Sequence, residues 1–342
     1  MPVPDQRDPE VTKAVLTSWL ADRLPGAKVE ELQTPATSGF SAETLIFTAG
    51  GKRFVAKVAP TGYQIFPEPR FEEQYRALRL LKERGVRVPD VHWYEPDTAL
   101  LGAPFFVMTA IGGAAPGDMP PYHQEGWVTE LTPAERAAMW DNGLQAMATV
   151  HRQPVEGFEF VDQTAYGPTG LTQRLNYYDS YLHWAYDGRV APAEEALTWL
   201  RANQPDEPGP PELLWGDSRI GNMLFEGGEV QGILDWEMVT IGRAEEDLAW
   251  YLYLDRHHCE CLDLPRLEGF PSRAETIARY EELLGRPMAN MAYYEVLSGL
   301  KFTVVMARIG QLFINYELVG PDDPFPHTNT ATVLLGRVME TL

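Results

Sequence analysis

Residues 213–237 read LLWGDSRIGNMLFEGGEVQGILDWE, and this stretch decides how the rest of the chain is interpreted. Within it, Asp217 is followed five residues later by Asn222, and Asp235 comes at the end of an apolar run. Turn-forming residues separate the apolar segments, as expected for short strands joined by turns. Strands arranged in this way would present the two carboxylates and the amide at one cleft. The predicted strands are 213–215, 222–225 and 230–234.

These three polar residues have the side chains that phosphoryl transfer from a nucleotide requires. In protein-kinase chemistry, one carboxylate accepts the proton of the attacking hydroxyl, while an Asn and a second Asp hold Mg²⁺ on the phosphates. The pattern therefore predicts Asp217 as the catalytic residue and Asn222 and Asp235 as metal ligands. The alternative is that Asp217 and Asn222 only shape a turn, and the apolar strand before Asp235 argues against it.

The order, spacing and strand context of these residues resemble the aminoglycoside phosphotransferase family, the bacterial small-molecule relatives of protein kinases. That family usually shows His-Gly-Asp, then four residues and Asn, then a hydrophobic strand that ends in Asp-x-Asp or Asp-x-Glu. The resemblance covers about residues 30–310, and Trp215 replaces the usual His, a residue more often structural than catalytic. The matching residues are Trp215-Gly216-Asp217, Asn222 and Asp235-Trp236-Glu237.

The resemblance implies an α+β, protein-kinase-like fold with two lobes: a small N-terminal lobe with an antiparallel sheet and a mainly helical C-terminal lobe. The hydrophobic pattern agrees, because two alternating segments joined through Gly50-Gly51 predict a hairpin, followed by a helix and two strands. Glycines and prolines from Gly112 onwards break this pattern. We therefore expect a nucleotide-binding lobe at residues 1–111 and a lobe with the catalytic and metal-binding segment at 112–342. The predicted strands are 44–48, 53–58, 91–94 and 104–109, and the predicted helices are 11–24, 70–84, 133–151, 171–186, 192–203, 273–284 and 291–317.

One cation, Lys57, interrupts an apolar strand of the N-terminal lobe. In a kinase-like lobe such a lysine reaches the α- and β-phosphates of the nucleotide. The alternative is a lysine on the solvent face of an edge strand. Protein kinases pair this Lys with a Glu on the next helix; here Gln74 occupies the inward position and Glu72 points away. Whether Gln74 or Glu72 is the partner of Lys57 stays open.

Three further nucleotide contacts follow from the resemblance alone. The loop between the first two strands contains Ser41 and a single glycine, where protein kinases have three. Ser41 and nearby backbone N–H groups are expected to contact the phosphates. The strand at 104–109 leads into the expected hinge between the lobes, so the backbone groups of Thr109 and Ile111 are expected to meet the edge of the adenine.

The composition argues against several classes of partner. The net charge is −21, and nucleic acids and anionic membranes both bind basic patches, so we expect neither as a partner. No run approaches the ~20 apolar residues that span a bilayer. Two cysteines fit a reducing compartment, and the polar N-terminus is not typical of a secretory signal. These features predict a cytoplasmic location.

Together, these features predict an ATP- or GTP-dependent phosphotransferase that uses Mg²⁺ and phosphorylates a hydroxyl of a small molecule. Two alternatives stay open: a kinase of a non-antibiotic hydroxyl metabolite, such as a hydroxyacyl compound or an amino alcohol, and a nucleotide-binding pseudokinase. The acidic excess in residues 201–300 favours a cationic acceptor, whereas the aromatic residues of helix 171–186 favour an acceptor with apolar surface. Glu237 is expected to help with a second metal or to position the acceptor.

Two other groups of residues are interpreted as structural. The cluster His257-His258-Cys259-Glu260-Cys261 is expected to be a helix end, because zinc ligands come as separated pairs and no second pair exists. Glu245 and Glu246 are expected on solvated helix faces, and Asp247 is expected to stabilise the first turn of a helix.

Overall fold

Alternating apolar residues fold the first third of the chain into a five-stranded antiparallel sheet with the strand order β1-β2-β3-β5-β4. The computed structural model describes residues 7–35, 41–206 and 209–342. Helix α1 precedes the sheet, α2 follows β3, and the short helix α3 lies between β4 and β5. The bounds are α1 Pro9–Leu20, β1 Val29–Gln33, β2 Glu43–Ala49, β3 Lys52–Val58, α2 Phe71–Glu83, β4 Val91–Glu95, α3 Thr98–Leu101 and β5 Phe105–Thr109.

The β2–β3 hairpin confirms the turn predicted at Gly50-Gly51, where both glycines have positive φ. Its register places Lys57 opposite Thr44. Because β3 lies between β2 and β5, Lys57 is not on an edge strand, and that alternative is wrong. The sequence pattern missed β1, since only one of its five residues is buried and no alternation is visible.

The segment between β3 and α2 crosses from the sheet to the C-terminal helices. Arg308 donates a hydrogen bond from Nε to the carbonyl oxygen of Gln64 at 2.7 Å, and the Tyr316 hydroxyl donates to the carbonyl of Gly62 at 2.7 Å. Ile65 packs in a small apolar cluster with residues of the same helices. These contacts join the two parts of the chain beside the cleft.

The remainder of the chain is mainly helical, as expected for the C-terminal lobe. Helix α10 packs against α6, α7, α8 and α11. Helix α8 begins at Ala244, in agreement with the first-turn position expected for Asp247, and its residues 244–255 are all buried. The bounds are α4 Trp127–Glu130, α5 Pro133–His151, α6 Leu171–Ala185, α7 Ala191–Ala202, α8 Ala244–His257, α9 Arg273–Leu284, α10 Met291–Asn315 and α11 Thr330–Met339.

Helix α10 is long and apolar. Within the described ranges it is the one helix that could cross a membrane by length and composition, with a mean hydropathy of 1.3. However, 61% of its most apolar window is buried inside the protein. Burial of this kind is typical of the core helix of a globular domain.

The catalytic segment forms two short antiparallel strand pairs within the helical part. Strand β6 pairs with β9, and β7 pairs with β8. The N–H of Leu234 donates to the carbonyl oxygen of Asn222 at 2.8 Å, which fixes the end of β8 beside the start of β7. The bounds are β6 Glu212–Leu214, β7 Met223–Glu226, β8 Glu229–Ile233 and β9 Thr240–Gly242.

Candidate active site

Lys57 of β3 and Asp235, which follows β8, meet at the cleft between the sheet and the helices. The Lys57 Nζ lies 3.2 Å from Oδ1 of Asp235 and 3.4 Å from Oγ1 of Thr44. Burial lowers the pKa of Lys57, but attraction to Asp235 and Glu237 outweighs burial and raises the pKa above its usual value. The amine is therefore a fixed positive charge at this point of the cleft.

Asp235 has a backbone conformation that suits few residue types. Its φ is 51°, in the left-handed region, where Asp and Asn are tolerated better than most side chains. Burial raises the pKa of Asp235, but the charges of Lys57 and Arg219 outweigh burial and hold the pKa below its usual value. The residue is therefore an anion whose direction is set by the turn after β8.

Asp217 lies in the turn after β6, and both of its carboxylate oxygens accept hydrogen bonds. Oδ1 accepts from Nε1 of Trp250 at 2.8 Å, and Oδ2 accepts from Nδ2 of Asn222 at 2.7 Å. Because Asn222 donates through its amide nitrogen, the amide oxygen is available to a ligand. The predicted partners Asp217 and Asn222 are thus in direct contact.

The backbone before Asp217 is held by a buried carboxylate from α8. Asp247 accepts from the N–H of Trp215 at 2.7 Å and from the N–H of Gly216 at 3.0 Å, and it contacts Nε2 of His151 at 2.9 Å. Gly216 has a φ of 89°, and a Cβ there would overlap the carbonyl oxygen of Met238. Asp247 is in the first turn of α8, as predicted, but its bonds orient the catalytic segment.

Trp215, which replaces the usual His, has a structural position. Its ring is fully buried, and its Nε1 donates to the carbonyl oxygen of Leu234 at 2.8 Å. This bond links the strand that leads to Asp217 with the strand that leads to Asp235.

Glu237 lies near Asp235 and Lys57 and lines a small pocket together with Ser41. Burial and the charge of Asp235 raise the pKa of Glu237 to about 8. Ser41 is the first described residue of the predicted phosphate loop, and residues 38–40 of that loop lie outside the described ranges. The structure thus brings Ser41 to the carboxylate that follows the metal-binding strand.

A cavity of about 380 Å³ adjoins Lys57 and Asp235. This volume is in the range of small-molecule sites. The Thr109 amide donates to the carbonyl of Asp90 at 2.9 Å. The hydrogen bonds of Lys57 within the described ranges go to Thr44 and Asp235. None of them joins Lys57 to the buried Gln74. The residues that line the cavity include Ile46, Val55, Lys57, Gln74, Leu78, Phe106, Met108, Thr109, Ile111, Leu224, Leu234 and Asp235.

Arg219 extends the site on the other side of Asp217, and sequence reasoning missed it. Its Nε lies 3.4 Å from Oδ2 of Asp217, and its Nη1 forms an ion pair with Asp118. Burial lowers the pKa of Arg219, but the charges of Asp217 and Asp118 outweigh it and raise the pKa. The sequence feature that could have identified Arg219 is its position two residues after Asp217 in the same motif.

An aromatic surface continues from Asp217 through Trp250. The Trp250 ring packs against Phe302 with centroids 5.9 Å apart, and Phe302 packs against His257 at 4.7 Å. Burial lowers the pKa of His257 to about 4, so this imidazole is neutral at pH 7. The surface beside Asp217 is therefore apolar and aromatic, with Arg219 as its cation.

The position of Lys57 on a central strand and the contact between Asp217 and Asn222 agree with the comparison to known families. Residues 33–284 match the model of the phosphotransferase enzyme family. The chain belongs to this family. The predicted family is thereby confirmed.

Solved structures of this family share the fold. A putative aminoglycoside phosphotransferase from Ralstonia eutropha has a TM-score of 0.67 at 18% identity, covering 96% of this chain and 94% of that one. Aminoglycoside phosphotransferase APH(4)-Ia, as a thermostable mutant with ADP and hygromycin B, has a TM-score of 0.57 at 15% identity, covering 95% and 97%. The GDP and kanamycin complex of another such enzyme has a TM-score of 0.60 at 14% identity, covering 95% and 98%. The predicted kinase-like α+β fold is confirmed.

Curated relatives of the phosphotransferase carry a different name. Human acyl-CoA dehydrogenase family member 11 is 25% identical over 318 residues, covering 89% of this chain and 39% of that protein. A probable acyl-CoA dehydrogenase from Arabidopsis thaliana is 28% identical over 312 residues, covering 83% and 37%. The chain thus spans about two fifths of the length of these relatives.

Glu245 and Glu246 of α8 do not form an open site for a cationic substrate. Glu245 is 3% exposed and pairs with Arg286, with Oε1 2.6 Å from Nη1. Glu246 is 2% exposed and pairs with Arg174 at 2.8 Å. The expectation that both side chains lie on solvated faces is wrong, because arginines from distant elements neutralise them inside the core.

Two other expectations concern side chains outside the site. Tyr177, Tyr178 and Tyr181 of α6 are buried in the hydrophobic core, so they provide no accessible surface for an acceptor.

Cys259 and Cys261 are free thiols, and within the described ranges no three His, Cys, Asp or Glu side chains are grouped as a metal site. The cluster begins at His257, the last residue of α8, and continues into the turn that follows.

The donor atoms at Asn222 and Asp235 suit Mg²⁺. Magnesium prefers oxygen ligands and is usually held by one or two side chains together with phosphate oxygens and water. Asn222 precedes β7 and Asp235 follows β8, so the amide oxygen and the carboxylate provide two such atoms at the same end of one hairpin. A group of three or more protein ligands is not required for this kind of site.

Proposed function

We propose that this phosphotransferase transfers the γ-phosphoryl group of ATP or GTP to the hydroxyl of a hydroxyacyl compound, with Mg²⁺ as cofactor. The observation that carries the proposal is the convergence of Asp217, Asn222, Asp235 and Lys57 from separate elements onto one cleft. These side chains divide into a proton acceptor, two oxygen ligands and a phosphate-binding cation.

Each of these residues has one role in the proposed reaction. Asp217 accepts the proton of the acceptor hydroxyl, and the N–H groups of Trp250 and Asn222 hold its carboxylate in place. Lys57 binds the α- and β-phosphates. Asn222 and Asp235 would hold Mg²⁺, and a bound Mg²⁺ would neutralise charge on the phosphates. Positioning and charge neutralisation supply most of the rate, since the transition state of phosphoryl transfer is loose.

The nucleotide assignment rests on the cavity beside Lys57. Apolar side chains from the sheet and from β7 and β8 provide two faces for a planar base, and the backbones of Thr109 and Ile111 lie at its edge. Structural relatives of this fold have been solved with ADP or with GDP. We therefore propose that ATP or GTP occupies this cavity, with its phosphates near Lys57, Ser41 and Gln74.

The acceptor assignment rests on the surface beside Asp217. An aminoglycoside carries several ammonium groups and needs carboxylates beyond those that bind metal, but Glu245 and Glu246 are consumed by buried ion pairs. The half-buried Phe302 instead offers apolar contact, and Arg219, which pairs with Asp118 and Asp217, adds a positive charge beside Asp217. Relatives named acyl-CoA dehydrogenases support an acyl compound as the acceptor.

The experiment measures ADP or GDP release with Mg²⁺ over three acceptor classes: hydroxyacyl-CoA thioesters and hydroxy fatty acids, amino alcohols, and aminoglycosides. We expect turnover in the first class, with a product heavier by one phosphoryl group. Kanamycin or hygromycin B phosphorylation that weakens as salt screens the carboxylates would reverse this choice. Nucleotide binding without turnover on any acceptor would identify a pseudokinase.

Replacing Lys57 with Met is expected to lower kcat/KM for ATP by about 10- to 100-fold, because a charge-assisted contact to phosphate is worth roughly 1.5–3 kcal/mol. Steady-state kinetics at varied ATP measures the effect. Lys52→Met on the exposed end of the same strand is the matched control and should behave like the parent. Equal kinetics for Lys57→Met and Lys52→Met would remove Lys57 from the phosphate site.

A further inference from the structure

Lys301 is a buried cation in the apolar helix α10. It is 1% exposed, and its ammonium group donates a hydrogen bond to the carbonyl oxygen of Gly216. The same group lies 4.1 Å from the centroid of the Trp250 ring, within the distance of a cation–π interaction. No sequence pattern marked this lysine, since α10 is otherwise a core helix.

Both contacts of Lys301 lead to Asp217. Gly216 precedes Asp217 in the chain, so a bond to its carbonyl fixes the peptide that connects the two residues. Trp250 donates its indole N–H to Oδ1 of Asp217 at 2.8 Å. One ammonium group therefore restrains the carboxylate from two directions, through the backbone and through the ring.

Attraction to the buried Glu246 and Asp247 gives Lys301 a structural role as a counter-charge. That role alone does not require its contacts with Gly216 and Trp250. Burial of an ammonium group costs free energy that an apolar side chain of similar length, such as Met, avoids. The N–H groups of Trp215 and Gly216 are already held by Asp247, so the segment does not depend on Lys301 for its amide bonds. What Lys301 adds is control of the Gly216 carbonyl and of the Trp250 ring.

We propose that Lys301 is a positioning residue, which orients the Asp217 carboxylate toward the acceptor hydroxyl through Gly216 and Trp250. The inference rests on the proposed role of Asp217 as proton acceptor. Asp217 contacts the substrate in this scheme, whereas Lys301 acts only through its two neighbours.

The test compares Lys301→Met with the parent in the full chain. We expect kcat to fall by about 10- to 100-fold, as is common when a reacting group is misplaced, while MgADP affinity stays within about twofold. Trp250→Phe keeps a ring but loses the N–H. If Lys301→Met does not fold, Trp250→Phe should show the same combination of a lower kcat and an unchanged MgADP affinity. Parental kcat in both variants, with only a lower melting temperature, would overturn the proposal.

A second readout needs no acceptor, so it separates this proposal from the proposed function. In ¹H–¹⁵N spectra, Trp250→Phe assigns the Trp250 indole N–H by its disappearance. In Lys301→Met this resonance is expected to move and to exchange faster with solvent, because the ring is no longer held against Asp217. An unchanged resonance would overturn the proposal even if the acceptor assignment is correct.

The matched control is Thr303→Val, two residues away on the same helix. Thr303 is fully buried, and within the described ranges its hydroxyl has no hydrogen-bond partner. Its replacement changes a buried polar group of α10 without touching Gly216 or Trp250, so kcat should remain parental. If Thr303→Val lowered kcat as much as Lys301→Met, the effect would belong to helix packing and the positioning role would be rejected.

Discussion

The Asp217→Asn variant is expected to bind nucleotide like the parent and to lose about 10²–10⁴-fold in kcat, since loss of a general base typically costs this much. The amide cannot accept the proton of the hydroxyl. Both oxygens of Asp217 now accept N–H groups, from Trp250 and Asn222. An Asn has one acceptor oxygen, so one donor loses its partner at a cost of about 1–3 kcal/mol. Steady-state kinetics, nucleotide titration and thermal unfolding together measure these effects.

Asp179→Asn on α6 is the control for loss of a carboxylate elsewhere. Asp179 is half-exposed and pairs with Arg201 at 2.9 Å, away from the cleft. Its kinetics should be parental. An Asp217→Asn variant within about threefold of the parental kcat would exclude Asp217 as the proton acceptor.

The N-terminal lobe and the catalytic segment were predictable because their information is local. A hairpin is encoded by two alternating runs around Gly50-Gly51, and the contact between Asp217 and Asn222 is encoded by their spacing within one turn. The strand before Asp235 shows its burial directly as an apolar run. Residues that are close in sequence must be close in space, so such patterns survive without tertiary information.

The residues that support Asp217 were not predictable in the same way. Trp250, Asp247 and Lys301 reach the site from α8 and α10, and their contacts exist only after the helices have packed. Sequence separation hides such pairs. A helix such as α8, buried on every side, also has no hydrophobic period that indicates which of its residues make these contacts.

Contacts between residues distant in sequence also explain why Glu245 and Glu246 were wrongly expected on solvated helix faces. Acidic residues in a helical pattern usually face solvent, and this rule gave Glu245 and Glu246 exposed positions. Their partners Arg286 and Arg174 come from other elements, and a buried carboxylate is tolerated only when such a partner is present. The number of acidic residues in the sequence therefore overstated the negative charge that a cationic acceptor could contact.

Replacing Asp235 with Asn is expected to remove the Mg²⁺ dependence of nucleotide binding. The substitution is chosen over Ala because residue 235 has a φ of 51°, where Asn is tolerated and Ala is strained by about 1–2 kcal/mol. Asp235→Asn therefore removes the negative charge while keeping the turn. In the parent, MgADP should bind on the order of 100-fold more tightly than ADP with EDTA, because a bound metal is worth several kcal/mol. In Asp235→Asn the two affinities should be nearly equal.

The same substitution also breaks the ion pair with Lys57, so the two effects must be separated. Lys57 keeps Thr44 as a hydrogen-bond partner, and its charge remains free to attract phosphate. Binding of ADP in EDTA should therefore be unchanged or stronger in Asp235→Asn, whereas Lys57→Met should weaken binding both with and without Mg²⁺. Titrations of the parent and both variants, with and without Mg²⁺, distinguish these cases. A variant Asp235→Asn that retained the parental difference between MgADP and ADP would show that the metal is held elsewhere, and Glu237 would then be the first carboxylate to replace.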